Sequence, residues 1–281
     1  MTGPVLCGVD FSDDARRALR WANLFAQRLK QPLVVVHAVE PLLANAAQLQ
    51  YGADALEATL QPELDAFVSG ALGKSAHVRA QIGTGDPSGV LQGAATAAGA
   101  SLIVIGTHGL GQAGEFWFGS TATRVLRHAA RPVLVVPRGA ASRSDAEPGV
   151  SEIIVGTDFG DAAASAIDTA DELGRLFDVP VTGLHAVPQL TAPSGWSALV
   201  AGVVEDALRD ARARLEAGVP AGWTNDVRSG DPARMLVDAA AGRDALIVIG
   251  LGGAAPGQRP GTTAHRVLRD ADAPVLSVPA R

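Results

Sequence analysis

Two glycine-rich segments carry the residues best suited to chemistry in this chain, and phosphate binding is the chemistry that they suit. In the first segment, an apolar run at Leu102–Ile105 leads into a loop that ends in Gly-Ser-Thr, where a helical pattern begins. Glycine lets the main chain turn sharply or approach a ligand closely, and free N–H groups at a helix N-terminus attract phosphate. The positions concerned are Gly106, His108, Gly109, Gly119, Ser120 and Thr121.

The alternative for this segment is a surface loop with an ordinary helix cap, because serine and threonine are favoured N-cap residues. Its context favours phosphate binding, since the loop follows a strand with the pattern of a buried one and precedes a helix. His108 lies inside the loop and is placed to contact phosphate. The equivalent residue in the second segment is Gly252, so the fold does not require the imidazole.

The second segment repeats the first glycine spacing and is then shortened. Seven residues separate its second glycine from its third, where the first segment has nine, and the stretch Ala254–Pro260 holds two prolines and Arg259. Two interpretations stay open: a stiffer loop that still closes over phosphate, with Arg259 as a contact, or a weakened site. The equivalent positions are Gly250, Gly253, Gly261, Thr262 and Thr263.

The duplication extends over the whole chain. Val5–Phe11 matches Ile153–Phe159, Pro32–Val39 matches Pro180–Val187, and each half contains a Gly-Asp-Pro turn. Each half alternates apolar runs with segments of helical spacing, the pattern of a doubly wound parallel sheet. In the first half the spacing predicts helices at Asp13–Leu29, Asp54–Leu72 and Pro87–Ala98. We predict a domain at 1–138, a polar linker at 139–149 and a second domain at 150–281.

Residues that end the strands are the next candidates, because such a sheet binds ligands at the carboxyl ends of its strands. Asp10 and Asp158 end the first strand of each half and suit hydrogen bonds from ribose hydroxyls or an adenine amine. The alternative role is capping of the next helix, for which Asp13 and Asp14 are also placed. The neighbours that would line the same clefts are Gly8, Val9, Ile105, Gly156, Thr157 and Ile249.

Three other repeated features have a structural interpretation. In each Gly-Asp-Pro turn the aspartate suits an N-cap and the proline suits the first helical position. Two arginines on the helix after each glycine loop suit ion pairs, and a histidine near the end of each second strand suits a packed, hydrogen-bonded core position. The residues are Asp86, Asp231, Arg124, Arg127, Arg266, Arg269, His37 and His185.

Composition and charge exclude several classes of function. The formal net charge is -6 and there is no lysine or arginine stripe, which argues against nonspecific nucleic-acid binding. The longest apolar runs are strand-sized and no basic segment precedes them, so we expect neither a membrane span nor a signal peptide. The single cysteine, Cys7, suits a small buried residue. We expect a soluble, cytoplasmic protein.

Groups for catalysis are missing from both segments. Neither glycine loop contains a lysine, so the Gly-Lys-Ser/Thr ending of a phosphate-binding P-loop is absent. No His, Cys and carboxylate cluster has the spacing of metal ligands, and no pairing of a nucleophile with a base can be named. We therefore expect a tightly held phosphate ligand with slow or no hydrolysis, with no catalytic residue and no metal ligand.

Taken together, these residues resemble the ATP-binding branch of the universal stress protein family. The family pattern Gly-x2-Gly-x9-Gly-Ser is matched in full by Gly106, Gly109, Gly119 and Ser120. The aspartate that ends the first strand, the His-Ala pair near the end of the second and the closing Pro-Val-Leu-Val-Val-Pro run fit as well. The resemblance covers both halves, although the shortened loop of the second half departs from the pattern.

This resemblance implies a fold, a ligand and a role. The fold would be two tandem Rossmann-like, adenine nucleotide α-hydrolase-like domains, whose last strands at Pro132–Val136 and Pro274–Val278 pair antiparallel as an intrachain pseudo-dimer. The ligand would be ATP, with the main chain of Ala38 and Ala186 at the adenine edge. The role would be regulation in a stress response through an unidentified protein partner, with two chains forming a homodimer. The alternative is a weak ATPase or nucleotide-activating enzyme whose site aspartates hold Mg²⁺.

Overall fold

The computed structural model describes residues 1–51, 55–73, 78–107, 119–138, 148–190, 196–252 and 261–280. The chain divides between Gly149 and Val150 into two compact units. Most of the predicted linker lies outside the described residues, as do His108, Gly109, Gly253 and the loop Ala254–Pro260. The predicted pairing of the last strands of the two halves stays a prediction.

The first unit is a five-stranded parallel sheet in the order β3-β2-β1-β4-β5, with helices between the strands. The chain therefore winds outward from β1 to β3, crosses back and continues on the other side of β1. The elements are β1 (Val5–Val9), α1 (Asp13–Leu29), β2 (Leu33–Val39), α2 (Pro41–Tyr51), α3 (Ala55–Leu72), β3 (Val78–Thr84), α4 (Pro87–Ala98), β4 (Leu102–Gly106), α5 (Ser120–Arg127) and β5 (Val133–Val136).

The second unit has the same topology, with parallel strands in the order β8-β7-β6-β9-β10. It differs after its second strand, where one long helix follows in place of α2 and α3. Its elements are β6 (Glu152–Gly156), α6 (Asp161–Phe177), β7 (Val181–Val187), α7 (Ser197–Gly218), β8 (Thr224–Ser229), α8 (Pro232–Ala240), β9 (Ala245–Leu251), α9 (Thr262–Asp270) and β10 (Val275–Pro279). The doubly wound α/β fold is confirmed in both units.

Local chemistry accounts for the ends of the helices. The Ser12 hydroxyl accepts a hydrogen bond from the Ala15 N–H at 3.1 Å and so caps α1, which ends at Lys30 with a φ of 54°. Asp86 caps α4 by accepting from the Gly89 N–H at 3.3 Å. Asp231 caps α8 by accepting from the Arg234 N–H at 3.0 Å. The predicted capping role of both Gly-Asp-Pro turns is confirmed.

The core consists mainly of aliphatic side chains. Strands β1, β4 and β5 are buried along almost their whole length, because helices cover both faces of the sheet. Cys7 is fully buried in β1, and this burial raises the pKa of its thiol, so the sulfur stays protonated and unreactive. In the described part of the chain no helix is long and apolar enough to cross a membrane.

Helix α2 is the element that the sequence pattern did not predict. It contains no charged residue and no clear polar face, so it lacks the periodicity that marks an amphipathic helix. Two of its leucines are largely exposed, Leu42 at 82% and Leu49 at 90%. The predicted helix at Asp54–Leu72 is present as α3.

Close approach between a helix and a strand end explains the first glycine of each segment. The φ of Gly106 lies outside the left-handed region, so the sharp turn expected there is not what requires glycine. A Cβ on Gly106 would lie 3.1 Å from the backbone carbonyl carbon and oxygen of Asp14, in the first turn of α1. A Cβ on Gly250 would lie only 2.5 Å from the same atoms of Ala162 in α6. The glycines are there because the helix packs against the strand with no space for a side chain.

We expect Gly250→Ala to destabilise the protein more than Gly106→Ala. The added methyl group meets rigid backbone in both, but the approach is closer at Gly250, and overpacking of this kind costs about 1–3 kcal/mol. Urea denaturation of each variant measures the difference. Gly93→Ala in α4 is the control, since a Cβ there meets nothing within 4 Å, and the helix gains about 0.5–1 kcal/mol from losing a glycine. A Gly250→Ala variant as stable as the parent protein would contradict the steric explanation.

Candidate functional site

The residues predicted to bind a ligand in the first unit converge at one edge of its sheet. Strands β1 and β4 are neighbours on either side of the point where the winding reverses, and their carboxyl ends border a crevice. A cavity of about 630 Å³ opens there. The predicted residues that line it are Gly8, Val9, Asp10, Ala38, Ile105, Gly106, Gly119, Ser120 and Thr121. Their role in binding stays a prediction, as does that of His108 and Gly109.

Helix α5 begins at this cavity with its first amides uncapped by any described side chain. Its first intrahelical bond runs from the Thr123 N–H to the carbonyl of Gly119 at 3.0 Å, so the N–H groups of Ser120, Thr121 and Ala122 have no acceptor within the helix. All three residues line the cavity. The Gly119 N–H donates to the carbonyl of Thr107 at 2.9 Å and ties the two ends of the glycine segment together. This end of the cavity therefore presents free N–H groups, the donors with which a helix N-terminus attracts anions.

Asp10 lines the same cavity from the end of β1. Its Oδ1 accepts hydrogen bonds from the N–H of Ser12 at 3.1 Å and from the Ser12 hydroxyl at 2.5 Å. Since Ser12 caps α1, none of Asp10, Asp13 and Asp14 performs the capping that we weighed for them. Asp10 holds the cap residue in place, and its carboxylate stays at the cavity.

A buried carboxylate supports the other side of Gly106. Asp14 is 4% exposed and binds two arginines: Arg17, one turn further along α1, and Arg138, whose Nε lies 3.3 Å from both carboxylate oxygens. The pair with Arg138 joins the first turn of α1 to the segment that follows β5. In the second unit Ala162 and Ser165 stand in place of Asp14 and Arg17, so this ion-pair cluster belongs to the first unit.

His37 occupies a different environment from the predicted core position. It is half-buried and lines the cavity, and its Nδ1 donates to the carbonyl oxygen of Val9 at 2.9 Å. The predicted hydrogen bond is present, but the ring stands at the cavity wall. The same holds in the second unit, where the Nδ1 of His185 donates to the carbonyl oxygen of Thr157 at 2.8 Å.

One wall of the first cavity consists of residues that sequence reasoning missed. Glu40 lies directly after β2, Leu43 lies on α2 and Leu60 lies on α3. All three line the cavity. Leu43 is 61% exposed and lies on α2, which has no amphipathic pattern, so the sequence pattern did not indicate a role for it. The one available signal was position, because the segment directly after β2 lies at the ligand-binding edge of the sheet.

The second unit has a smaller cavity at the equivalent place, of about 170 Å³. No residue of α7 is among its described lining residues, so within the described part of this unit the wall formed by α2 and α3 has no counterpart. Gly261 and Thr262 stand at the start of α9 but are not among the described lining residues. Gly253 lies outside the described residues. The predicted residues that line it are Gly156, Thr157, Asp158, Ala186, Ile249, Gly250 and Thr263.

An ion pair joins the Gly-Asp-Pro turn to the helix after the glycine segment in both units. Arg124 of α5 binds Asp86, and Arg266 of α9 binds Asp231, while the other oxygen of each carboxylate caps the next helix. The prolines of these turns line the two cavities, so the pair connects the wall of each cavity to the helix whose N-terminus faces it. The predicted ion pairs are confirmed at these arginines.

The second arginine on each of these helices, Arg127 on α5 and Arg269 on α9, has different contacts from the first. Arg269 binds its neighbour Asp270 at 2.6 Å, which confirms the predicted ion pair. The Nε of Arg127 is buried without a hydrogen-bond partner among the residues that the structure describes.

Comparison with known proteins agrees with this fold. The model of the universal stress protein family matches the chain twice, at residues 1–137 and 150–279. The chain therefore belongs to the universal stress protein family, as a tandem member with two domains.

Several known proteins are similar to all or part of this chain. A universal stress protein of Mycobacterium tuberculosis is 26% identical over 97% of this chain and 95% of its own length. One from Mycolicibacterium smegmatis is 28% identical, over 64% of this chain and 63% of that protein. A Thermus aquaticus protein is 35% identical and matches 47% of this chain with 96% of its length. Among solved structures, a universal stress protein of Archaeoglobus fulgidus covers 99% of this chain and 98% of its own, with a TM-score of 0.66 at 18% identity, which shows the shared fold.

The capping carboxylate of the second unit leads to a prediction on pH. The backbone N–H of Arg234 and the guanidinium of Arg266 lower the pKa of Asp231 below its ordinary value. A lowered pKa stabilises the folded state above the pKa of the unfolded chain, and this contribution is lost as the pH falls through the folded value. Asp231→Asn keeps a capping oxygen but loses the charge. We expect a lower melting temperature than the parent protein at pH 7, and a gap that closes below about pH 4.

Thermal melts of both proteins across this pH range test the prediction. Asp206→Asn is the matched control, since Asp206 pairs with Arg209 on an exposed face of α7 and caps no helix. A melting gap at Asp231 that does not change with pH would show that the charge of this carboxylate contributes nothing.

Proposed function

We propose that the first unit binds an adenine nucleotide, with ATP as the main ligand, and that the chain is a nucleotide-dependent regulatory module of a stress response. The single observation that carries this proposal is the cavity at the switch point. It brings the uncapped N-terminus of α5 together with a carboxylate, Asp10, and with the main chain at Ala38. These are groups that would hold the phosphates at one end and the ribose or base at the other.

The size of the cavity supports a nucleotide. Pockets for ligands of this size measure roughly 300–1,000 Å³, and the first cavity falls inside this range. Glycine at position 8 leaves room for the side chain of Leu91, which lines the cavity with Leu43 and Leu60 and offers apolar surface to a flat base. Ala38 adds little bulk at the strand end.

The phosphates would be held by main-chain amides and hydroxyls. The described lining residues include the hydroxyls of Ser120 and Thr121 and the first amides of α5, but no lysine or arginine. A helix N-terminus binds anions with N–H groups and the helix dipole, so this arrangement suits a resident nucleotide. Since none of the described lining residues supplies a cation to stabilise the charge of phosphoryl transfer, the proposal includes slow or no hydrolysis.

One nucleotide per chain is part of the proposal. The cavity of the second unit, at about 170 Å³, falls below the range of pockets that hold such ligands. The second unit would keep the same fold but would not bind a nucleotide. The proposal also includes the cytoplasmic homodimer that the family resemblance implies.

Native mass spectrometry of the purified full-length chain tests ligand and stoichiometry together. We expect one ATP or ADP per chain. We also expect a double substitution of Gly119→Val with Ser120→Ala to abolish binding, because a branched side chain would cover the first amides of α5 and a hydroxyl would be lost.

The matched control is the pair Gly261→Val with Thr262→Ala at the start of α9, which we expect to leave the stoichiometry unchanged. Two nucleotides per chain would contradict the assignment to the first unit alone. If no nucleotide co-purifies and calorimetry detects no binding of ATP at millimolar concentration, the proposal fails. The same spectra report the oligomeric state.

A steady-state assay of phosphate release tests the enzymatic alternative. With ATP and Mg²⁺ in excess, we expect a rate indistinguishable from the buffer blank, since no lysine or arginine stands among the described lining residues to stabilise the phosphoryl group in transfer. A clear rate that Asp10→Ala lowers would establish a weak ATPase and overturn this part of the proposal.

A further inference from the structure

One imidazole ring holds both residues that flank Asp10. The Nδ1 of His37 lies 2.9 Å from the carbonyl oxygen of Val9, and the ring centroid lies 4.5 Å from that of Phe11. A carbonyl oxygen only accepts, so Nδ1 carries the hydrogen and Nε2 is unprotonated in the neutral ring. The residue before Asp10 is fixed by a hydrogen bond, and the residue after it by ring packing.

Phe11 has a backbone conformation that needs such support. Its φ is 65°, in the left-handed region that a bulky side chain rarely adopts. Strain of this kind persists where the surroundings hold it, and it clusters at functional sites. Besides His37, the edge-on ring of Phe67 packs against Phe11 at 5.5 Å, and the guanidinium of Arg16 lies 4.6 Å from the Phe67 ring.

The second unit builds the same arrangement with different support. The Nδ1 of His185 lies 2.8 Å from the carbonyl oxygen of Thr157, its ring lies 4.3 Å from that of Phe159, and the φ of Phe159 is 64°. Here the guanidinium of Arg214 covers the Phe159 ring at 4.3 Å. Both copies have the histidine, the strained phenylalanine and the aspartate that directly precedes this phenylalanine. The residues that pack behind the phenylalanine differ.

We propose that His37 is a positioning residue for ligand binding, which acts by fixing the direction of the Asp10 carboxylate. The main chain is held before and after Asp10, and Oδ1 is held by Ser12. The carboxylate therefore meets a ligand already oriented, and binding needs no ordering of this group. The identity of the ligand, an adenine nucleotide, rests on the proposed function. The positioning of Asp10 by His37 does not rest on it.

The tautomer of His37 tests the positioning without any ligand. In protein labelled with ¹⁵N-histidine, at a pH where the ring is neutral, two-bond ¹⁵N–¹H correlation spectra distinguish a protonated Nδ1 from a protonated Nε2. We expect His37 to carry its proton on Nδ1. A neutral ring protonated on Nε2 would leave the carbonyl of Val9 without a donor and would overturn the proposal.

Calorimetry with ATP then tests whether His37 acts through Asp10. His37→Phe keeps an aromatic ring but loses the donor, and we expect it to weaken ATP binding about tenfold. In an Asp10→Asn background, where the carboxylate is already altered, we expect the same substitution to change the affinity by less than about twofold. An equal loss in both backgrounds would show that His37 contacts the nucleotide directly, and would overturn the positioning role.

Two further variants keep the test decisive. His37→Asn places an amide donor where Nδ1 stood, and we expect it to restore part of the affinity that His37→Phe loses; it also serves if the phenylalanine variant does not fold. The control is His128→Phe, since the Nδ1 of His128 also binds a backbone carbonyl, that of Arg124 at 3.0 Å, outside the cavity. If the parent protein does not bind ATP, the proposed function fails, and the tautomer of His37 alone decides the positioning.

Discussion

The whole site depends on the close packing of the first turn of α1 against the end of β4. Nothing larger than hydrogen fits on Gly106 without pushing on the backbone of Asp14, and the equivalent contact at Gly250 is tighter still. This packing brings the end of β1, the start of α1 and the return from β4 to one edge of the sheet. The amides of α5 then face the carboxylate of Asp10 across a single crevice, because the winding of the sheet reverses between β1 and β4.

The two copies keep this framework and differ in what surrounds it. Both have the histidine and phenylalanine around the aspartate, and both have the ion pair that joins the Gly-Asp-Pro turn to the next helix. The first copy adds a wall from α2 and α3, and its cavity measures about 630 Å³ against about 170 Å³ in the second. Divergence has therefore affected the cavity walls more than the residues at the strand ends.

The charges in the first cavity favour one orientation of a nucleotide. Asp10 and Glu40 follow β1 and β2, whereas the uncapped amides of α5 follow β4. Carboxylates repel phosphate and accept hydrogen bonds from hydroxyl and amino groups, while a helix N-terminus attracts anions. In the proposed function the phosphates would lie toward α5 and the ribose and base toward β1 and β2, without a basic side chain among the described lining residues.

The sequence by itself determined the duplication, the parallel sheets, the aspartate caps of the two Gly-Asp-Pro turns and the residues at the strand ends. These follow from local rules, since buried strands must be apolar and a cap acts within one helical turn. Only the tertiary structure showed why position 106 is a glycine and that His37 contacts both Val9 and Phe11. It also showed that Leu43 lines the first cavity and that the two cavities differ in size. Each of these depends on contacts between residues distant in sequence, and periodicity within one element carries no information about how another element packs against it.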